Sequence, residues 1–434
     1  MDPITTGIIG CIALLLLLIL GMPIAFATSL VGFLGICFMK NWAVASQTIG
    51  YLLYPLATKY TLSVIPMFIL MGYFAFYAGL TADIFSVARK WLGHLSGGLS
   101  IATVFGCAAF AASSGSSTAS AAVMGKVAIP EMQKYNYDPR LATGVVAASG
   151  TLSSLIPPSA ILVIYGVIVE QSIGKLLIGG LLPGILSAFL YAAMLFFWAR
   201  FRPDMAPVTS KVSWTERIRS LKHIWGIASI FFVVIGGLYF GVFTPCEAGA
   251  AGATGAFLIS LVSRKLTWSN LASSLLETAR ATVMIFFIIV GVLIFMRFLA
   301  LSGVSREFVE TMKTLPVPPW VILSTFLGFY VLLGMFMDAI GMLTLTLPLI
   351  FPVVTDLGYH PIWFGIIAVK MCEVCLITPP IGLNVYMVRG VAPNIPLGEM
   401  FKGVIPFLFM DILTLIILIV FPQISTFLPE TMHW

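Results

Sequence analysis

Apolar residues run along the chain in blocks of helical length, among them residues 4–20, 178–198, 224–240, 283–298 and 403–421. Each block approaches the ~20 residues that carry a helix across ~30 Å of hydrocarbon. Spanning strands would alternate polar and apolar positions, and no such alternation is present, so the pattern predicts an all-α integral membrane protein. Composition agrees, because 9% of the 434 residues are charged and 60% hydrophobic, against about 25% charged in soluble domains. The N-terminal block lacks a basic leader and its apolar character continues through Met39, so it is expected in the mature protein rather than in a cleaved signal.

A polar stretch at 200–223 divides the chain into two halves, 1–199 and 224–434, and is expected as a cytoplasmic linker. Sliding the halves by 222 positions superposes Pro23 on Pro245, Pro130 on Pro352, Tyr137 on Tyr359, Pro139 on Pro361, Pro157 on Pro379 and Pro158 on Pro380. A random offset of 25 prolines in 434 residues would give roughly 0.7 proline coincidences, so a duplication is the simpler account. Each half reads as two spans about an early proline and a third span ending near Gly79 or Gly303. There follow a pair of half-length helices, a helix broken by a double proline and a last span. The half-length pairs, 96–130 and 320–352, have arms of about 15 residues, too short to span, and are expected as re-entrant hairpins. The broken helices are expected at 141–169 and 361–390. Five spans per half is an odd number, which inverts the second half relative to the first.

Charge supplies an orientation. With the N-terminus outside, the inner loops collect Arg89, Lys90, Lys126, Lys134, Arg140, the basic residues of the linker, Arg264, Lys265, Arg389 and Lys402. The outer loops hold Lys40, Lys175, Arg306 and Lys313. This asymmetry predicts both termini outside, with the hairpins entering from opposite faces. The net charge of +6 flanks membrane segments instead of forming a stripe, which argues against nucleic acid. The six cysteines lie in apolar segments and read as small hydrophobes, including the Cys372 and Cys375 pair, so no transition-metal site is expected.

The chemistry should sit at the interruptions. Pro157 and Pro158 deprive the carbonyls of Ser153 and Ser154 of helical partners, and Pro379 and Pro380 do the same to Cys375 and Leu376. An orphan carbonyl in hydrocarbon must find protein, water or a cation, and broken helices at midplane hold sodium in secondary transporters. The first hairpin tip carries "SSGSSTAS", residues 113–120, and the same offset places Ser116 on Asp338 in "GMFMDAIG". A carboxylate in an apolar run marks an ion site. The plainer readings make the serines a packing surface and Asp338 a helix cap. Glu247 reads as a cap after Pro245, Lys370 and Glu373 as a pair one turn apart, and Arg280 and Arg297 as snorkelling side chains. No serine has a base partner and no histidine lies in a broken segment, so the chain offers no catalytic residue.

Together "GMPIAFA", "ASSGSSTASAAVMG", "GTLSSLIPPS", "SIGKLLIGGLLPG", "GVFTPCEA", "GMFMDA" and "EVCLITPPIGLNVY" resemble the large membrane subunit of a TRAP (tripartite ATP-independent periplasmic) transporter over essentially the whole chain. Cys246, Ser154 and the stretch 370–372 depart from the family pattern. The resemblance implies an inverted-repeat, elevator-type fold like that of the ion transporter superfamily, in the bacterial inner membrane. It implies sodium-coupled import of a carboxylate, dicarboxylate, sugar acid or sulfonate, with sodium as the coupling ion and no other cofactor. The implied partners are a periplasmic substrate-binding protein and a small four-helix membrane subunit, here expected as a separate chain. Carried over, the first sodium site draws on Ser114, Gly115, Ser116, Ser117, Thr151, Ser153 and Ser154, and the second on Gly334, Phe336, Asp338, Cys375 and Thr378. Substrate is expected against Ser116, Ser117, Thr118, Ser159 and Asn384. The runner-up is a stand-alone anion symporter of the same architecture that needs no delivery protein. A channel or membrane enzyme lacks support in the residues.

Overall fold

A computed structural model describes residues 2–432 except Ser210 and Phe336, and excludes the side chains of Thr81 and Ser113. All regular structure among the described residues is helical. The first half contains α1 (Pro3–Ile19), α2 (Ile24–Met39), α3 (Trp42–Thr58), α4 (Val64–Tyr77), α5 (Leu80–Leu92), α6 (Gly98–Ser114), α7 (Ser117–Lys134), α8 (Pro139–Thr151), α9 (Ala160–Ile168) and α10 (Ile173–Phe201). The linker adds α11 (Trp214–Ser220). The remainder is α12 (Trp225–Phe231), α13 (Gly237–Tyr239), α14 (Pro245–Val262), α15 (Trp268–Ser302), α16 (Val304–Thr314), α17 (Pro319–Gly334), α18 (Ala339–Asp356), α19 (Pro361–Ile377), α20 (Leu383–Val391), α21 (Leu397–Val420) and α22 (Gln423–Glu430).

Two packed groups emerge. One joins α15 to α2 and α4, α14 to α4, and α1 to α2. Its outer part is sealed by Leu14, Val31, Phe295 and Phe298. The other joins the hairpin α6–α7 to α8, the hairpin α17–α18 to α19, and α21 to α8, with α10 against α9, α19 and α21. Small residues let these helices approach closely, as membrane helices do in the absence of a hydrophobic drive between them.

Several boundaries differ from expectation. The hairpins run four residues past Pro130 and Pro352, since those prolines lie inside α7 and α18; proline keeps a helical φ and removes a single donor. Six helices are long and apolar enough to cross a membrane, with the bent pair Trp214–His223 and Trp225–Tyr239 a seventh among the described residues. The five spans expected in each half count its broken helix as one, so they need not all be long, unbroken helices. At about 1.5 Å per residue, the 17 and 16 residues of α1 and α2 fall short, and each broken helix is divided into two pieces. The 18-residue α18, by contrast, qualifies by length although it is a hairpin arm. The third span is continuous in α15, whereas its first-half counterpart breaks at extended Lys59 between α3 and a 3-10 turn, Tyr60–Ser63.

Candidate functional site

The offset seen in the sequence reappears in helix starts. Ser116 caps α7 and Asp338 caps α18, 222 residues apart, and α8 and α19 begin at Pro139 and Pro361 with the same spacing. Both double prolines interrupt their helices: α8 ends in a 3-10 turn at Leu152–Ser154 before α9, and α19 ends at Ile377 before α20. Each hairpin tip packs beside its own break.

At the first tip hydroxyls do the joining. Ser114 Oγ lies 2.8 Å from Ser120 Oγ, which lies 2.7 Å from Ser153 Oγ, and Ser117 Oγ lies 2.5 Å from Ser154 Oγ. Backbone adds to this, as Ala160 N donates to Gly115 O at 3.3 Å. Gly115 has φ +59, and a Cβ there would run into the Pro158 carbonyl, so glycine suits the turn. The Ser154 carbonyl, expected as an orphan, instead accepts the Ser159 hydroxyl at 2.5 Å. That bond replaces the donor lost at proline. Thr151 stands apart from this cluster: its Oγ1 donates to Ala148 O at 2.7 Å.

At the second tip Asp338 caps α18, its Oδ1 accepting from Gly341 N at 3.2 Å, as the plainer reading had it. The same carboxylate also lines a cavity. Gly334 meets Cys375 so closely that a Cβ would overlap the sulfur, while Cys375 Sγ donates to Tyr330 O at 3.4 Å. The Cys375 carbonyl accepts from Thr378 N at 3.2 Å, and Thr378 Oγ1 donates to Val374 O at 2.6 Å. The Cys375 carbonyl, expected as free, is thus paired by a tightened final turn that satisfies it without an i+4 donor. Phe336 lies outside the described residues.

A cavity of about 390 Å³ opens between the tips, lined by Ser114 to Ala119 on one side and Asp338, Ala339 and Ile340 on the other. Four helix N-termini reach it, through Ser117 of α7, Ala160 of α9, Ala339 of α18 and Leu383 of α20. The wall opposite comes from α4 and α15, including Tyr73, Phe76 and Met284. Of the residues expected around substrate, Ser116, Ser117 and Thr118 line the cavity. Ser159 and Asn384 are fully buried and do not; Asn384 Nδ2 donates to Ala147 O at 3.1 Å, leaving Oδ1 without a hydrogen-bond partner.

Sequence reasoning missed Ser120 as the bridge between tip and break, although the quoted tip contains it. It also missed Tyr191 and Asp411, which join Lys370 and Glu373. Lys370 Nζ lies 2.7 Å from Glu373 Oε2 and 2.7 Å from Asp411 Oδ1, with all three side chains fully buried. Only Lys370 and Glu373 were near enough in sequence to be paired by helical spacing. Glu247 closes a capping box with Thr244, and Arg280 pairs with Glu277 at 2.9 Å. All six cysteines are free.

The profile described as "Tripartite ATP-independent periplasmic transporter, DctM component" matches residues 11–424. The chain belongs to this family. Among its relatives is the C4-dicarboxylate TRAP transporter large permease protein DctM of Pseudomonas aeruginosa, 35% identical over 88% of this chain and 90% of that protein. The sialic acid TRAP transporter large permease protein SiaM of Vibrio cholerae is 31% identical over 95% of this chain and 96% of its own length. The fold is similar to that of the Alcanivorax borkumensis YdaH transporter, with a TM-score of 0.59, 15% identity and 88% of each chain covered. The DctM-family chain is therefore a multi-pass, all-helical membrane transporter permease.

Proposed function

We propose that this permease imports a small organic anion, coupled to sodium, with C4-dicarboxylates the first candidates and sugar acids and sulfonates behind them. The observation that carries the reading is the convergence of four helix N-termini and one carboxylate on a single cavity. Each helix end favours an anion by about 0.3–1 kcal/mol. Asp338 opposes it, since two unit charges ~4 Å apart repel by ~4 kcal/mol at an effective dielectric of ~20. Together the four ends supply about 1–4 kcal/mol, no more than the repulsion, so the cavity holds an anion well only when a cation sits on Asp338. Sodium is the cation that suits carboxylate, hydroxyl and carbonyl oxygens at interrupted helices.

The cavity lies between the tip-bearing group and the α4–α15 wall, which supports an elevator in which the hairpins and broken helices move against the other helices. The two halves are inverted repeats in this reading, in an inner membrane with both termini periplasmic. A periplasmic binding protein delivers the anion, and a separate small membrane subunit completes the scaffold, as the family's tripartite description supports.

Uptake of labelled succinate into proteoliposomes holding this chain and its small subunit tests the proposal. A sodium gradient together with the binding protein should drive accumulation. Accumulation that proceeds equally in potassium would remove sodium coupling, and accumulation without the binding protein would favour the stand-alone symporter.

A further inference from the structure

Another cavity lies away from the tips. An apolar groove of about 240 Å³ runs between α12 and α14, lined by Trp225 and Ser229 on one side and by Ala251, Gly255, Leu258 and Val262 on the other. The small residues at 229, 251 and 255 leave the room, while Trp225, Leu258 and Val262 stand exposed along it. The Ser229 hydroxyl donates to Trp225 O at 2.7 Å, so it makes no polar demand on an occupant.

Trp225 and Val262 put one end of this groove where the chain turns basic. Lys222 precedes Trp225 by three residues and Arg264 follows Val262 by two. Both are exposed, and among the described residues neither takes part in an ion pair, whereas Lys265 beside them meets Asp83 at 3.5 Å. The linker leading into α12, residues 200–223, holds six basic side chains against two acidic ones. The same end sits at headgroup level. Trp214, Ile218, Leu221 and Trp225 recur at helical spacing and are all exposed, and Trp214–His223 bends 55° away from Trp225–Tyr239. An apolar stripe with tryptophans, interleaved in sequence with Arg219 and Lys222 and turned off the axis of the next helix, suits the interface plane.

An apolar slot with two unpaired cations at its interfacial end matches a single kind of molecule, a phospholipid with an anionic headgroup. We propose that the groove seats an acyl chain of such a lipid, in the leaflet that meets the linker, with Lys222 and Arg264 on its headgroup. Basic pockets between helices at the membrane surface hold anionic headgroups in this way. An apolar helix of a partner would fill the slot and leave the two cations unmatched. The site depends on neither the sodium coupling nor the orientation proposed above, since groove and cations belong to this chain alone.

The test uses the full chain in phosphatidylcholine nanodiscs, with acyl-brominated phosphatidylglycerol or acyl-brominated phosphatidylcholine titrated in at fixed total lipid. Quenching of tryptophan emission is the readout, and Trp225→Phe isolates the part that comes from the groove. In the wild type, Trp225-dependent quenching should favour phosphatidylglycerol by about 10- to 30-fold in relative affinity, since each basic side chain near the surface is worth about fivefold. In Lys222→Gln with Arg264→Gln the two lipids should quench alike. Gly255→Leu should fill the groove and reduce quenching by both lipids; a Cβ there meets only Ile230, at 3.7 Å, so the site accepts a side chain. Equal quenching by the two lipids in the wild type, a preference that survives loss of both cations, or quenching untouched by Gly255→Leu overturns the proposal. Loss of the wild-type preference when the small subunit is added would give the groove to that partner and overturn it as well.

Discussion

The first tip is tied to its break by paired hydroxyls, Ser114 with Ser120 and Ser153, and Ser117 with Ser154. At the corresponding place the second tip has a capping carboxylate and a thiol packed on a glycine. Hydroxyls can donate and accept, so the first cluster satisfies itself when empty and costs little to bury. Among the described residues no cationic side chain pairs with Asp338, whose Oδ1 accepts from Gly341 N, and it bears a desolvation cost that a bound cation would offset. One backbone plan therefore serves two chemistries. Under the proposed sodium coupling, the first tip is ordered without an ion and the second depends on one.

The sharpest way to break this comparison is Asp338→Ala. The stimulation of uptake by sodium, about 10³-fold where it relieves ~4 kcal/mol of repulsion, should be lost, because the variant has no charge for sodium to balance. The cap lost with it costs about 1 kcal/mol of stability, so the melting profile should show a folded protein. Normal sodium dependence in that variant would place coupling elsewhere.

Gly334→Ala comes next, because its Cβ must displace the Cys375 sulfur. Overpacking of this kind costs about 1–3 kcal/mol, and uptake should drop roughly in proportion, by 10- to 100-fold. Adding Cys375→Ala should restore part of it. No recovery in the double variant would mean that the contact is not what constrains the tip.

A smaller effect is expected at the first tip. Ser120→Ala removes the hydroxyl bridging Ser114 and Ser153, at a cost of about 1–3 kcal/mol for buried partners left unpaired. Apparent sodium affinity should weaken by about 10-fold with maximal uptake kept. An effect as large as that of Asp338→Ala would erase the distinction between the tips. The smallest change is Glu247→Gln, which weakens a capping box remote from both tips. Stability should fall by up to about 1 kcal/mol, with sodium dependence unaltered in the same uptake assay.

Much of the site was legible because its signals are local. The double prolines, the serine-rich tip and the lone Asp338 each announce themselves within a few residues, and the 222-residue offset pairs them. What failed to show was how donors lost to proline are replaced. The Ser159 hydroxyl on the Ser154 carbonyl and the Thr378 amide on the Cys375 carbonyl are choices of rotamer and turn, and several such solutions fit the same residues. Hairpin ends were misplaced for a related reason, since proline near a helix end permits either a stop or a continuation.

By itself, the sequence determined that this chain is a helical membrane permease of a known family, with two interrupted helices facing two tips. Hydrophobic length and proline spacing are properties of the chain read in order. Only the tertiary structure decided that four helix N-termini meet in one cavity, and that Lys370 is shared between Glu373, three residues away, and Asp411, on another helix. Those contacts join residues tens to hundreds of positions apart. Their existence depends on helix packing, which the order of residues constrains only through the whole fold.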